Sequence, residues 1–293
     1  MSATPVTAKP IVLRKDMSIL QAHTAVVAEC LRHIEANAPG VAAQADTEFL
    51  HQMRIGLRRL NAALHLFRGV RPLPEALRLE VKWLDAALAP ARDWEVLANS
   101  TLPRIAASAP AHLGLAALLQ LAQEAARRHN ASAAQAVASP RCRSLLDALH
   151  AWAAQTPQGL PQPNARLKHF ATALLDSAGK RLRRRAQHLS QAGQRRLHRS
   201  RIAAKRLRYT LEFFASLYPQ RQASRRIDTL AAFQDALGAI NDASVAHALL
   251  EHEAASHPGL HTATAYVRGY LQADSRHQVR ALSGLWKRLR RAL

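Results

Sequence analysis

One short pattern of residues occurs twice along this chain and limits what the chain can fold into. The first copy begins at His51 and reads H-Q-M-R-I-G-L-R-R-L; the second begins at His198, 147 positions later, and reads H-R-S-R-I-A-A-K-R-L. Two further similar segments, at residues 88–96 and 237–245, follow with an offset of 149. Segments that recur in the same order at nearly the same distance indicate two copies of one structural unit.

The composition and the spacing of apolar residues predict helices. Leu and Ala dominate and runs of β-branched residues are few, which favours helix over sheet. Apolar residues recur at intervals of three and four within the repeated pattern, as on one face of a helix. We therefore expect an all-α fold with two pseudo-symmetric helical bundles related by an internal duplication. The apolar positions of the first copy are Leu50, Met53, Leu57, Leu60, Leu64 and Phe67.

The domain organisation follows from the repeat and from the proline-rich segments. Residues 1–15 are expected to form a flexible N-terminal tail, and residues 16–293 one domain. Within that domain the N-terminal half spans about 16–155 and the C-terminal half about 164–293. Residues 156–163, with three prolines and a glycine, are predicted to connect the halves.

Prolines also divide the chain into segments with helical patterns. Because proline is excluded from helix interiors, Pro39 and Pro90 are predicted to lie between helices. A further helix boundary is predicted just after Gly238, before the repeated N-D at Asn241.

Basic residues lie beside the apolar face in both copies. They follow the apolar positions by one residue, which corresponds to about 100° of helix rotation, so they flank the buried face and do not lie opposite it. Side chains in such a position can be partly shielded from water, where a cation binds an anion more strongly than on open surface. The basic lines are His51, Arg54 and Arg58 in the first copy, and His198, Arg201, Lys205 and Arg208 in the second.

The overall charge indicates an anionic partner. The formal net charge is +21 and the sequence pI is about 11.4. Arginine predominates over lysine, and its planar guanidinium pairs with two phosphate oxygens at once. Residues 180–208 contain twelve Lys and Arg residues and no acid. Because like charges at this density repel one another, this stretch, which includes Arg184, is predicted to bind an anion.

Several other classes of protein do not fit the sequence. Cys30 and Cys142 are the only cysteines, so no disulfide framework is expected, in agreement with a reducing compartment. No apolar run approaches the ~18 residues of a membrane span, and the first ten residues lack the apolar region of a secretion signal. The chain is therefore expected to be a soluble, cytoplasmic protein.

Neither a metal site, a cofactor nor a catalytic site is predicted. His252, Glu253 and His257 resemble the helical zinc motif, but the two histidines are one position too far apart. Asp93 and Asp242 are the repeated carboxylates, and each occurs without a second acid or a metal motif. We interpret them as helix N-caps or as buried partners of an arginine; a role as general base is the alternative.

Taken together, these segments resemble the CHAD domain, the conserved histidine α-helical domain, over about residues 16–290. The resemblance rests on both copies of the repeated pattern, on A-R-D-W-E-V-L after the first, and on R-Y-T-L-E-F-F and L-G-A-I-N-D after the second. It implies helical bundles lined by basic and histidine side chains that bind inorganic polyphosphate and associate with polyphosphate granules. Many CHAD domains are fused to a CYTH-type triphosphatase domain, whose catalytic E-x-E-x-K strand is absent here.

The resemblance also assigns residues to the polyphosphate site. Asn61 stands where the family motif commonly has an arginine, so the second half of the site is expected to dominate the affinity. The implied residues are His51, Arg54, Arg58, Arg59, His198, Arg201, Lys205, Arg206 and Arg208, to which the basic stretch adds Arg184.

The favoured interpretation is non-catalytic binding of polyphosphate, and two alternatives stay open. One is nucleic-acid binding, but proteins that bind single strands interleave aromatic residues with cations, and the basic helices here hold almost none apart from Tyr209. The other is a role as accessory subunit of an enzyme that processes phosphate chains. Protonated histidines are expected to add positive charge, so that binding strengthens as the pH falls from 8 to 6.

Overall fold

The computed structural model describes residues 4–155, 166–189 and 192–292, which contain helices and no strand. The all-α fold class is thus confirmed; the predicted connection at residues 156–163 lies outside the described residues. None of the described helices is long and apolar enough to cross a membrane. The α-helices are α1 (Ile19–Ala42), α2 (Thr47–Leu66), α3 (Glu75–Val96), α4 (Leu102–Ala106), α5 (Leu115–Ala138), α6 (Pro140–Ala154), α7 (Leu167–Arg185), α8 (Gln194–Phe214), α9 (Gln220–Ser256) and α10 (His261–Ala292).

The helices pack in pairs, and the order of pairing is the same in both halves. In the first half α1 packs along α2 and α3 packs along α5; in the second half α7 packs along α8 and α9 packs along α10. The two copies of the repeated pattern lie on α2 and α8, which contact each other. This is the arrangement that an internal duplication predicts, although the duplication itself stays a hypothesis.

Three groups of buried apolar side chains hold the helices together. One is built mainly from the first half around Phe49 but also includes Phe213 of α8, and another lies in the second half around Phe233. The third also combines the two halves, because Trp94 at the end of α3 shares it with Leu250 of α9. Burial of apolar surface of this kind, at about 25 cal/mol per Å², is the main force that fixes α3 beside α9.

Two predicted helix boundaries at prolines were wrong. Pro39 lies inside α1 and Pro90 lies inside α3. A proline removes one backbone donor, and a helix tolerates that loss where packing holds it on both sides. Leu88 and Ala91, which flank Pro90, are fully buried.

The break predicted after Gly238 was also wrong. The helix α9 runs without interruption from Gln220 to Ser256. It buries Leu237 and Ile240 on either side of that glycine, and this packing exceeds the cost of about 1 kcal/mol for a glycine in a helix.

Part of the segment predicted to be a flexible tail packs against the helices. The side chains of Ile11 and Leu13 are buried, since they pack into the apolar core that contains Phe49. The backbone of this segment is also bonded: Val6 N donates to Asn37 Oδ1 at 3.0 Å, and Leu13 N donates to Ser216 Oγ at 2.8 Å. These contacts tie the segment to α1 and to the turn after α8.

The close approach of α1 and α2 fixes the position of the first repeated pattern. Asp46 caps α2 by accepting a hydrogen bond from Glu48 N at 2.8 Å. Further along α2, a Cβ atom at Gly56 would lie 2.8 Å from Cγ1 of Ile34 and 3.3 Å from its backbone nitrogen. Only glycine allows the two helices to cross at this distance.

We expect Gly56→Ala to destabilise the fold by about 1–3 kcal/mol, because the added methyl group forces fully buried Ile34 to move. Gly269→Ala is the matched control, since a Cβ there meets nothing within 4 Å on the exposed face of α10. The control should be stabilised by up to about 1 kcal/mol through helix propensity. Urea unfolding curves measure the change in the free energy of unfolding in both variants. Equal stabilisation of both would contradict the close approach of α1 and α2 at Gly56.

Candidate anion-binding site

Five of the residues predicted for the site converge on one cleft between the two halves. His51, Arg54 and Arg58 reach it from α2, and Arg201 and Lys205 reach it from α8. The cleft has a volume of about 300 Å³. We call it the central cleft; the repeated patterns meet there because α2 and α8 face each other across it.

The remaining walls of the central cleft come from α3 and α9. Asp85, Arg92 and Asp93 belong to α3, and Asn241 and Asp242 to α9. The other lining residues are Val96, Leu97, Thr101, Val245 and Ala246, of which Leu97 and Ala246 belong to the core shared by the two halves.

The repeated carboxylates Asp93 and Asp242 lie within helices, so the N-cap interpretation does not hold. Burial raises the pKa of Asp93; nearby Arg54 opposes that shift, and the charge of Asp242 adds to it. The two carboxylates therefore lie close enough to repel each other, and each has an arginine of its own half near it, Arg54 or Arg201. The two carboxylates therefore act as counter-charges to the arginines of the central cleft.

Two polar atoms of the central cleft are buried and make no hydrogen bond with any described residue. They are Nδ1 of His51 and Nε of Arg201. Arg54, by contrast, is held in place: its Nη1 donates to the carbonyl oxygen of Asp85 at 3.4 Å, and its own carbonyl accepts from Arg58 Nε at 3.2 Å. A buried donor without an acceptor costs about 1–3 kcal/mol, which an anion in the cleft can recover.

His51 is a neutral side chain at neutral pH. Burial lowers its pKa, and the positive charge of Arg92 lowers it further. Arg58 and Arg54 act in the same direction. The protonated histidine expected from the sequence therefore forms only below the usual pKa of about 6.5 for histidine.

Lys205 changes its charge near neutral pH. Burial lowers the pKa of this amine to about 7, with further contributions from Arg58 and Arg201, while Asp242 acts in the opposite direction. An ammonium group in such surroundings is destabilised by the loss of hydration and by the neighbouring cations. The charge of a bound anion would offset the cost of the ammonium group, so we expect the pKa of Lys205 to rise when the central cleft is filled.

A second cleft adjoins the central cleft, and His198 lies there. Its basic residues, all from α8, are Arg195, His198, Arg199 and Arg201, and no Asp or Glu is among its described lining residues. Its volume is about 570 Å³. Arg201 and Asn241 line both clefts, so the two are in direct contact. We call it the α8 cleft.

Two arginines predicted for the site take part in the fold and line neither cleft. Arg59 Nη1 donates to Glu212 Oε2 at 2.6 Å, and its guanidinium lies 5.3 Å from the ring centre of Phe213. Arg208 Nε donates to the other oxygen of Glu212, also at 2.6 Å, and its Nη1 donates to Gln234 Oε1 at 3.1 Å. Glu212 thereby links α2 to α8 next to the central cleft.

The other two predicted residues lie elsewhere on the surface. Arg206 is half-buried, and the cations that act on its pKa are Arg181 and Arg68. These three arginines together with burial lower the pKa of His65 to about 4. Arg184 is exposed on the last turn of α7, one turn beyond Arg181.

Part of the lining of the two clefts was not predicted from the sequence. Arg92 precedes the repeated Asp93, but its counterpart Asn241 is uncharged, so the repeat did not single it out. Arg195 and Arg199 lie within the basic stretch of residues 180–208 but are not among the predicted site residues. Their spacing of four residues, which places both on one face of α8, is the signal that could have identified them.

No group of three or more His, Cys, Asp or Glu residues that could hold a metal ion occurs within the described ranges.

Comparison with known proteins gives a family and a fold. The family model of the CHAD domain matches residues 25–251. The crystal structure of the CHAD domain from the plant Ricinus communis is 38% identical, covers 96% of each chain and superposes with a TM-score of 0.87. PptA from Streptomyces chartreusis, 24% identical with a TM-score of 0.66, covers 93% of this chain and 99% of its own and shares the fold. A search of curated proteins found no match.

We expect Lys205→Met to raise the free energy of unfolding at pH 7 by at least about 1 kcal/mol, since one pKa unit corresponds to about 1.4 kcal/mol. In the folded protein this lysine loses its proton near pH 7, whereas the unfolded chain keeps it up to the ordinary pKa of 10.5. Between these values the unfolded state binds more protons, so the stability of the unaltered protein rises with pH. The advantage of the variant should therefore shrink between pH 7 and pH 9.

Urea unfolding at both pH values measures this difference. Lys180→Met, which removes an exposed lysine of α7, is the matched control and should show no such dependence. If Lys205→Met is less stable than the unaltered protein at pH 7, the buried ammonium group of Lys205 does not destabilise the fold.

Proposed function

The chain belongs to the CHAD domain family, and from this premise we propose that it binds inorganic polyphosphate, without catalysis, through the central cleft and the α8 cleft. The observation that carries the proposal is the convergence of cations from two halves of the chain on one cleft. Arg54 and Arg58 meet Arg201 and Lys205 there. Like charges gathered in this way lose stability unless an anion lies between them.

The chemistry of the lining fits a phosphate chain. Polyphosphate carries about one negative charge per phosphate and no bases, so its recognition needs cations and no stacking surface. The described lining residues of both clefts include no Phe, Tyr or Trp. Arginine contributes a planar fork that can bind two phosphate oxygens at once.

Burial strengthens the proposed interaction. Arg54 and Arg201 are sufficiently buried that desolvation lowers the pKa of each guanidinium, although arginine stays charged. At the lower effective dielectric constant of such a site, a cation attracts a phosphate several times more strongly than in bulk water. The unbonded Nε of Arg201 provides a donor for the ligand.

We propose binding without catalysis because the acids of the central cleft lie beside arginines. Asp93 and Asp242 are near Arg54 and Arg201, so their negative charges are balanced by the guanidinium groups. Association with polyphosphate granules in the cytoplasm is the cellular role that such binding would support. Release of orthophosphate from polyphosphate by the purified protein would contradict this part of the proposal.

Nucleic-acid binding is the second candidate, and the net charge of +21 favours it. The aromatic residue that could have stacked a base does not reach either cleft. Tyr209 is half-buried, and its ring packs nearly parallel to that of Phe213, with the ring centres 6.3 Å apart. We therefore place nucleic acid second to polyphosphate.

Removal of one arginine from each half of the central cleft tests the proposal. The double variant Arg54→Ala, Arg201→Ala should lower the affinity for long-chain polyphosphate by at least about 30-fold, since a hydrogen bond to a charged group contributes about 1.5–3 kcal/mol. The variant should stay folded, because three cations of the cleft, Arg58, Arg92 and Lys205, remain to balance its carboxylates. Titration calorimetry at about 0.15 M salt, with circular dichroism as the folding check, gives the comparison.

The matched control is Arg225→Ala, Arg226→Ala, which removes the same charge from α9 outside the two clefts. It should lower the affinity by no more than about threefold through the change in overall charge. Equal loss in both double variants would mean that the chain binds polyphosphate only through its net charge.

The proposal also predicts a pH dependence that belongs to Lys205. As the pH falls from 8 to 6 this amine gains its proton, because its pKa is about 7, and the affinity for long-chain polyphosphate should rise. Lys205→Arg should keep the affinity high over the whole range, and Lys205→Met should make it low. Calorimetry at pH 6, 7 and 8 measures how the affinity depends on pH. If the affinity of Lys205→Met changes with pH as much as that of the unaltered protein, groups other than Lys205 cause the pH dependence.

A further inference from the structure

A third cleft lies next to the α8 cleft, between the beginning of α8 and the helices α9 and α10. Its volume is about 650 Å³, and its cations are Arg276 and Arg280 of α10. Gln194, Leu197 and Ser244 line both this cleft and the α8 cleft. We call it the α10 cleft.

The three clefts follow one another along α8. The central cleft adjoins the α8 cleft at Arg201, and the α8 cleft adjoins the α10 cleft at Gln194. From Lys205 to Gln194 the helix advances by about 16 Å, at about 1.5 Å per residue. A ligand that fills all three clefts must therefore be an extended chain, longer than a compact anion.

The balance of charge changes along this path. Three acids, Asp85, Asp93 and Asp242, line the central cleft. The described lining residues of the α8 and α10 clefts include no Asp or Glu. The α8 and α10 clefts beyond the central cleft are therefore lined by cations without acidic residues among them.

The cations of the α10 cleft are available to a ligand. Neither Arg276 nor Arg280 forms an ion pair with an acidic residue in the described part of the chain, and both are exposed. His247 lies in the same cleft, where its Nε2 accepts a hydrogen bond from Arg268 Nε at 3.1 Å. The permanent positive charges of this cleft are those of the two arginines.

We propose that the α10 cleft is the outer end of the polyphosphate path and makes the affinity depend on chain length. This inference rests on the proposed function, and adds Arg276 and Arg280 to the residues that select the ligand. Chains long enough to extend from the central cleft past Gln194 contact these arginines. Tripolyphosphate, seated in the central cleft, does not reach them.

The test compares tripolyphosphate with long-chain polyphosphate in titration calorimetry at about 0.15 M salt. The double variant Arg276→Ala, Arg280→Ala should lower the affinity for the long chain by about tenfold, as expected for two charge-assisted contacts, and leave that for tripolyphosphate unchanged. The matched control is Arg288→Ala, Arg291→Ala, which removes the same charge from the same helix. These two arginines line a separate cleft together with Arg221. It should change neither affinity by more than about twofold.

Two outcomes would overturn the inference: equal weakening of the long chain in both double variants, or equal weakening of both ligands in Arg276→Ala, Arg280→Ala. Two other results would contradict the proposed function itself. In the first, the unaltered protein binds neither tripolyphosphate nor long-chain polyphosphate; in the second, the double variant Arg54→Ala, Arg201→Ala binds both ligands as tightly as the unaltered protein does.

Discussion

The packing of α2 against α8 brings together cations that repel one another, and the site depends on how the fold withstands that repulsion. Glu212 supplies part of the answer, because it accepts hydrogen bonds from Arg59 of α2 and Arg208 of α8. Breaking a buried ion pair of this kind costs several kcal/mol, so the pair holds the helices in register. The two apolar cores that join the halves supply the rest. With the backbone fixed, the central cleft can keep a lysine whose pKa is about 7.

Equivalent positions of the two repeated patterns have different surroundings. Arg54 and Arg201 both line the central cleft, whereas Arg59 pairs with Glu212 and its counterpart Arg206 lies among other cations. The difference arises because Glu212 occurs on α8 only; the corresponding position on α2 is His65. A single acid thus determines which arginines stabilise the fold and which stay available for a ligand.

The sequence predicted the helical fold, and residue spacing on a single helix indicated which basic side chains of α2 and α8 share a face. It did not indicate that Arg59 pairs with Glu212, because these residues lie 153 positions apart on two helices and no local pattern reveals the pairing. Pro90 was misplaced for a similar reason: the packing that holds α3 together around it comes from distant residues. The titration of Lys205 likewise depends on burial and on Arg58 from the other half, so spacing alone could not indicate it.

The central claim is that the clefts recognise a phosphate chain and not polyanions in general. The most direct test is binding of long-chain polyphosphate by the unaltered protein at about 0.15 M salt in the presence of excess single-stranded or duplex DNA. Both ligands gain from release of counterions, so polyphosphate that is bound through net charge alone would be displaced by excess DNA. We expect polyphosphate to stay bound under excess DNA. Displacement of polyphosphate in proportion to the phosphate content of the added DNA would contradict it.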